Sequence, residues 1–236
     1  MQRTPYREAV GSLMYAAVAK HPDIAFAVSA LSQFLSNPGS VHWEAVKHIF
    51  CYLAGMKDLE LTYGGERHGL EGYTDTDGGV KEHHCAMSGY AFLIDRGVIS
   101  WASRKQELVT LSSTEAKYVA ATHTAKEAIW LHRLIDEFFP YSLVLTPLYC
   151  DNQVALKLAT DDNYHAQTKH INIHYHLIHQ TVASSAINLS YCPTDDMAAD
   201  AFTKALPKWR VVAHATTLSM CHACGGVLDV NSLADD

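Results

Sequence analysis

The sequence predicts an α/β fold: a mixed five-stranded sheet with flanking helices, preceded by a small helical segment. Three observations carry that reading. Residues 5–55 keep a helical period, the pattern switches to strict alternation at Leu59, and from Leu70 onward strand and helix patterns succeed one another in the order β, β, β, α, β, α, α, β, α. With 236 residues, 48% of them hydrophobic, the chain is long enough to bury one ordinary core and a smaller companion.

In the first section Val10, Leu13, Met14, Ala17 and Val18 recur at helical spacing, and Ile24, Ala27, Val28, Leu31 and Phe34 repeat it, which predicts two amphipathic helices. Ser36-Asn37-Pro38-Gly39-Ser40 is turn chemistry, and Trp43, Val46, Ile49, Phe50 and Leu53 mark a third helix stopping near Gly55. So small a helical array is expected to pack on the α/β section C-terminal to it. Leu59, Leu61 and Tyr63 alternate with polar residues ahead of Gly64-Gly65 and read as a strand. Residues 70–74 form the next strand, and 88–94 with 98–102 form a hairpin around Asp95-Arg96-Gly97.

Ser112-Ser113-Thr114-Glu115 offers an N-terminal cap to a long helix reaching about residue 139. A buried strand over 143–150 then runs into Asp151-Asn152 and a short helix through Ala155, Leu156 and Leu158. Residues 165–182 read as a helix, 186–191 as the last strand and 195–204 as a helix ended by Pro207. No firm pattern is found beyond Lys208. The expected organisation is a helical section over 1–58, the α/β domain over 59–207 and a poorly ordered tail over 208–236.

A formal charge of −7 argues against a protein that grips nucleic acid through an overall basic surface, so any such contact must be local. No apolar run is long enough for a membrane span, so no membrane partner is expected. The N-terminus lacks the apolar stretch of a secretory signal, which makes an intracellular, reducing setting and six free thiols the expectation.

Four acids stand where strands end or in the helices after them: Asp75, Glu115, Asp151 and Asp200. Hydrolysis of a phosphodiester requires an activated water and positive charge on the attacked phosphate and the leaving oxygen. Two Mg²⁺ ions held by hard oxygen ligands supply both. Each acid alone is ordinary turn or helix-terminus chemistry.

The surrounding stretches are far less ordinary as a set: Gly-Tyr-Thr-Asp-Thr-Asp (72 to 77), Ile-Ser-Trp-Ala-Ser-Arg-Lys-Gln (99 to 106), Leu-Ser-Ser-Thr-Glu-Ala-Lys-Tyr (111 to 118), Tyr-Cys-Asp-Asn-Gln (149 to 153), Thr-Lys-His-Ile (168 to 171) and Ala-Asp-Ala-Phe-Thr-Lys (199 to 204). In this order they resemble the ribonuclease H segment of copia-type LTR retrotransposon Pol polyproteins. Gly-Ser-Leu-Met-Tyr (11 to 15) and Lys-His-Pro-Asp-Ile-Ala-Phe (20 to 26) resemble the end of the same family's reverse transcriptase, so the likeness runs from about residue 5 to 207. The Tyr-x-Asp-Asp polymerase motif is absent, and no polymerase activity is expected of these residues.

The resemblance implies a ribonuclease H-like fold and an endonuclease cutting the RNA strand of an RNA/DNA hybrid with two Mg²⁺ or Mn²⁺ ions. By it Asp75 bridges both ions, Glu115 and Asp151 hold the ion beside the leaving 3′ oxygen, and Asp200 helps hold the ion that activates water. It further implies the polymerase part of the polyprotein as a partner and a cytoplasmic virus-like particle as the setting. Where the family usually has Asp-x-Asp-Trp-Ala-Gly, this chain has Asp75-Thr76-Asp77-Gly78-Gly79-Val80; Lys117 replaces an acidic residue and Asn172 an Asp. Neither of the last two is expected to touch the metal set. An impaired, binding-only remnant is the alternative.

Other groupings carry less. Asp75-Thr76-Asp77-Gly78 lacks the later ligands of a calcium loop, and Asp77 is a weak outer ligand or a turn former. His165, His170, His174, His176 and His179 have no partner at zinc spacing, and Cys221-His222-Ala223-Cys224 is one Cys-x-x-Cys without a second. Asn152 and Gln153 are candidates for substrate contacts. Arg104, Lys105, Lys126, Lys169 and Lys204 are candidates for phosphate contacts.

Overall fold

The computed structural model describes residues 4–64, 69–77, 85–107, 110, 112–138, 145–153, 172–183 and 187–222. Helices α1 (Tyr6–Ala19), α2 (Ala25–Ser32) and α3 (Ser40–Gly55) open the chain, with the 3₁₀ turn Pro22–Ile24 leading into α2. Val10, Leu13, Val28, Leu31, Val46 and Ile49 interlock in one buried cluster, and Tyr6 Oη donates to the Leu31 carbonyl at 2.8 Å. Val18, placed on the same apolar stripe by its spacing, is 77% exposed. Three short helices cover only the centre of each stripe and leave its flank in water.

The main sheet contains β2 (Leu70–Thr76), β3 (Met87–Ile94), β4 (Gly97–Lys105), β5 (Thr146–Cys150) and β6 (Ile187–Tyr191) in the order β4-β3-β2-β5-β6. β2, β3 and β4 are antiparallel neighbours, whereas β5 runs parallel to both β2 and β6. This is the mixed five-stranded, ribonuclease H-like sheet expected from the order of strands and helices. Asp95 and Arg96, at φ 47° and 67°, turn β3 into β4, the left-handed pair whose twist suits a two-residue hairpin.

Successive residues of a strand face opposite sides, so β3 supplies two cores at once. On one face Phe92, Leu70, Leu148 and Ile187 pack against Ala125, Ala128, Leu131 and Ile135 of the long helix α4 (Ser113–Phe138). On the other, Ala91, Leu93 and Val98 meet Ala25 of α2, Ala198, Phe202 and Leu218. The helical section is thus packed against the sheet, and Trp101 Nε1 of β4 donates to the Ala17 carbonyl at 2.7 Å. Helix α5 (Asn172–Ala183) lies against α4, with Ile178 buried beside Tyr118, Val119 and Ala121.

Two expectations need correction. Residues 195–204 form 3₁₀ stretches, Thr194–Asp196 and Ala198–Phe202, in place of one helix; four of the five residues of the second are buried, leaving no solvent face for an amphipathic turn. Beyond Pro207 the chain forms helix α6 (Lys208–Thr217) and strand β7 (Met220–His222), where no pattern was expected. β7 pairs antiparallel with β1 (Leu59–Leu61), apart from the main sheet, and Met56, Leu59, Val212, Ala215 and Met220 close a small core beneath them. The apolar stripe of α6 rests on so few residues that no period is legible. The helix expected at 155–158, the start of the one at 165–182 and residues 223–236 lie outside the described residues. Among the described residues no helix is long and apolar enough to cross a membrane, and Cys51, Cys85, Cys150, Cys192 and Cys221 are free thiols.

Candidate active site

β2 and β5 run side by side with Thr74 opposite Cys150, so the ends of the two strands carry Asp75 and Asp151 to one edge of the sheet. Asp75 is 2% exposed. Its partner across β3 is Gly89, where an added Cβ would lie 2.5 Å from Phe202 Cβ and 3.1 Å from the Ala199 carbonyl. The missing side chain lets the Ala198–Phe202 stretch sit down on the sheet, which delivers fully buried Asp200 beside Asp75. Thr203, next along, donates from Oγ1 to Asp75 Oδ2 at 2.7 Å.

Glu115 occupies the first turn of α4 and is almost buried. Ser112 Oγ caps that turn by accepting from the Glu115 amide at 3.1 Å. Buried Gln106 ties the turn to the sheet, donating from Nε2 to the Ala116 carbonyl at 2.8 Å and to Ser88 Oγ at 2.7 Å.

Lys117 overturns one expectation. It is about 200° around the helix from Glu115, at about 100° per residue, and was expected to stay clear of the acids. Its ammonium instead pairs with Asp151 Oδ1 and stands 3.3 Å from Asp75 Oδ1. The first turn of α4 lies over the ends of β2 and β5, and a four-carbon stem spans the gap. Burial alone would lower the pKa of Lys117; the hydrogen bond to Asp151 and the charges of Asp75 and Asp151 outweigh it, and the net shift is upward.

Asp200 is poised differently. Burial raises its carboxyl from 3.8 to about 6; the hydrogen bond and charge of Lys204 oppose that rise, and the charge of Asp75 adds to it. Lys204 Nζ is 2.8 Å from Asp200 Oδ2, and Arg210 Nη1 approaches the same oxygen at 3.7 Å from α6. Asp200 Oδ1 has no hydrogen-bond donor among the described residues.

Buried carboxylate oxygens without donors are what a hard cation would satisfy, and an all-oxygen set suits Mg²⁺ or Mn²⁺. By that test Asp200, with Asp75 beside it, fits a divalent ion, whereas the Oδ1 atoms of Asp75 and Asp151 are both taken by the Lys117 ammonium. Among the described residues no group of three or more His, Cys, Asp or Glu side chains is arranged to hold one.

The other candidates are scattered. Asn152 and Gln153 directly follow Asp151, with Gln153 exposed. Arg104 and Lys126 line one cleft together with His123 and Glu127, between β3, β4 and α4. Lys105 donates to Gln33 Oε1 at 3.1 Å, Lys204 is engaged by Asp200, and Lys169 lies outside the described residues. Asp77 accepts the Met87 amide at 2.6 Å, so it closes the β2–β3 connection as a turn residue does. His176 is exposed, His179 half-buried, and the side chains of His165, His170 and His174 lie outside the described residues, as does Cys224.

Sequence reasoning missed Gly89, Thr203, Lys117 and Arg210 as parts of the site. A glycine inside an otherwise apolar strand pattern does signal close backbone approach and was available for Gly89. Nothing in the sequence marks Arg210.

No protein-family profile matches the chain. The Pol polyprotein of the Nicotiana tabacum transposon TNT 1-94 is 45% identical over 209 residues, 88% of this chain and 16% of the relative. A protein named secreted RxLR effector protein 161, from Plasmopara viticola, is 44% identical over 134 residues, 56% of this chain and 94% of the relative. Among solved structures, ribonuclease H1 of Halobacterium salinarum aligns at a TM-score of 0.43 and 13% identity, over 57% of this chain and 93% of that one. The fold assignment rests on the strand order and directions given above. The chain thus spans about a sixth of the length of the Pol polyproteins it matches, and its homologues are copia-type, retrovirus-related transposon Pol polyproteins, 34–45% identical over most of the chain.

Proposed function

We propose that the chain is the ribonuclease H-type nuclease of a transposon Pol polyprotein, hydrolysing the RNA strand of an RNA/DNA hybrid. The observation that carries this reading is the convergence of Asp75 and Asp151, at the ends of two parallel strands, with buried Asp200, brought to Asp75 by the 3₁₀ stretch. Asp75, Glu115, Asp151 and Asp200 are the residues that would hold Mg²⁺ or Mn²⁺, and bound divalent ions supply an activated water and charge for the phosphate and leaving oxygen. Thr203 orients the Asp75 carboxylate, and Gly89 keeps Asp200 against it. Arg104 and Lys126 are placed to contact backbone phosphate along the β4–α4 cleft, and Asn152 and Gln153 to contact the RNA strand, whose 2′-hydroxyls distinguish it from DNA. The polymerase section of the polyprotein is the partner expected to share substrate binding with an acidic nuclease. The experiment is cleavage of a labelled RNA/DNA hybrid with Mg²⁺ or Mn²⁺, comparing the natural chain with Asp151→Asn. Metal-dependent cutting lost in the variant supports the reading; equal cutting by both sinks it.

A second reading has an observation of its own. Lys117, Lys204 and Arg210 each stand within 4 Å of one of these carboxylates, so the cluster is partly neutralised from within. On this reading the chain is an impaired remnant that binds hybrid without turnover. Folded protein that binds hybrid and fails to cut it under any divalent metal selects the remnant.

A further inference from the structure

The four acids call for positive charge, and the chain already provides some at one point between them. Asp75 is 2% exposed at its side chain and Asp151 10%, and each presents its Oδ1 to the single ammonium of Lys117, itself only 15% exposed. A half-exposed surface ion pair would carry little information, since such pairs come and go in water. This one is different: its cation is shared by two shielded carboxylates, and removing one partner of such an arrangement leaves an uncompensated buried charge. The Asp200 side of the cluster contrasts with it. There Lys204 and Arg210, 38% and 25% exposed, both approach Asp200 Oδ2, at 2.8 Å and 3.7 Å, and leave Oδ1 without a hydrogen-bond donor among the described residues.

We propose that Lys117 is a resident counter-ion that stands in for one divalent ion: its ammonium fills the position between Asp75 and Asp151, and the chain takes a single Mg²⁺ or Mn²⁺, between Asp75 and Asp200. This rests on the reading of the site as a metal-dependent nuclease and narrows it. An ammonium carries one charge and a fixed tether where a divalent ion carries two and exchanges with solvent, so the two cannot occupy the same gap. Displacing the lysine would require it to give up both carboxylates while remaining tethered to the first turns of α4. Asp75 then serves both halves of the site, one oxygen toward Lys117 and the other held by Thr203 Oγ1 at 2.7 Å.

The test is Mn²⁺ binding to the full chain without substrate, followed by calorimetry for stoichiometry and electron paramagnetic resonance for metal–metal coupling. The natural chain, Lys117→Gln and Lys117→Glu are compared. Gln removes the charge while keeping hydrogen-bond donors, so it covers the case in which Glu folds poorly beside two other acids. The expected result is one uncoupled Mn²⁺ in the natural chain and two in the variants, spin-coupled as ions about 3.5–4 Å apart would be. Thermal unfolding should agree. Without metal the variants melt below the natural chain, and Mn²⁺ raises their midpoints by more, because two ions then stabilise the native state by mass action. Two coupled ions in the natural chain overturn the inference and leave the metal-dependent nuclease standing. One ion in all three proteins also overturns it, since Lys117 would then exclude nothing. No Mn²⁺ bound by any of the three folded proteins removes the metal reading itself, and the inference with it.

Discussion

The two faces of the central sheet are built by different means. Toward α4 the core is one continuous layer: Phe92 and Leu148 from the sheet meet Ala125, Ala128, Leu131 and Ile135 from a single 26-residue helix. The opposite layer is assembled from Ala25, Ala198, Phe202 and Leu218, residues of three separate segments, none longer than a few turns. The comparison teaches where function sits. The single-helix layer brings Glu115 and Lys117 to the site on its first turns, whereas the patchwork layer brings Asp200 beside Asp75, so the placement of Asp200 depends on the less regular half.

The largest expected effect tests that division. Phe92→Ala and Phe202→Ala each empty a fully buried aromatic position and should cost ~3–5 kcal/mol in urea unfolding. Under conditions where both variants remain folded, Phe202→Ala should lose divalent-ion binding and Phe92→Ala should retain it. Equal loss in both would break the comparison. Next is Gly89→Val, whose Cβ would fall 2.5 Å from Phe202 Cβ. Overpacking of this kind costs ~1–3 kcal/mol, and hybrid cleavage should fall much further than stability, because the 3₁₀ stretch bearing Asp200 is pushed off the sheet.

That contrast also decides what was readable beforehand. The strands and α4 were legible because burial on one face imposes a period, and the four acids were legible because the stretches around them resemble a known family. The sequence predicts one helix over 195–204 ended by Pro207; the near-complete burial of Ala198–Phe202 against Gly89 is a tertiary fact with no local signature. Lys117 shows a different limit. Its replacement of an acidic residue was visible, but where a flexible stem directs its charge depends on how α4 lies over β2 and β5. Residues 208–222 were unreadable for want of length, yet their helix sends Arg210 toward Asp200.

A pH titration sharpens the comparison with a smaller effect. Asp200 titrates near 6 in the folded chain against 3.8 unperturbed. The native state therefore binds more protons than the unfolded state across that window, and the stabilisation present at low pH is lost as pH rises from about 4 to about 6. In metal-free buffer the natural chain should lose unfolding free energy over that range relative to Asp200→Asn; parallel profiles would show that Asp200 is not the group responsible. The smallest change is Arg210→Ala. Its contact with Asp200 is 3.7 Å and the side chain is partly open to solvent, so stability should move by no more than about 1 kcal/mol. A larger loss would mean that α6 contributes more to the patchwork layer than its length implies.

The central claim is that water, activated at the acid cluster, attacks the RNA phosphate and expels the 3′ oxygen. The most direct measurement is the chemistry of the cut ends on a hybrid substrate. The account predicts 3′-hydroxyl and 5′-phosphate termini, formed only with divalent metal and only on the RNA strand. Termini bearing a 2′,3′-cyclic phosphate, or no cleavage by folded, metal-loaded protein, would contradict it.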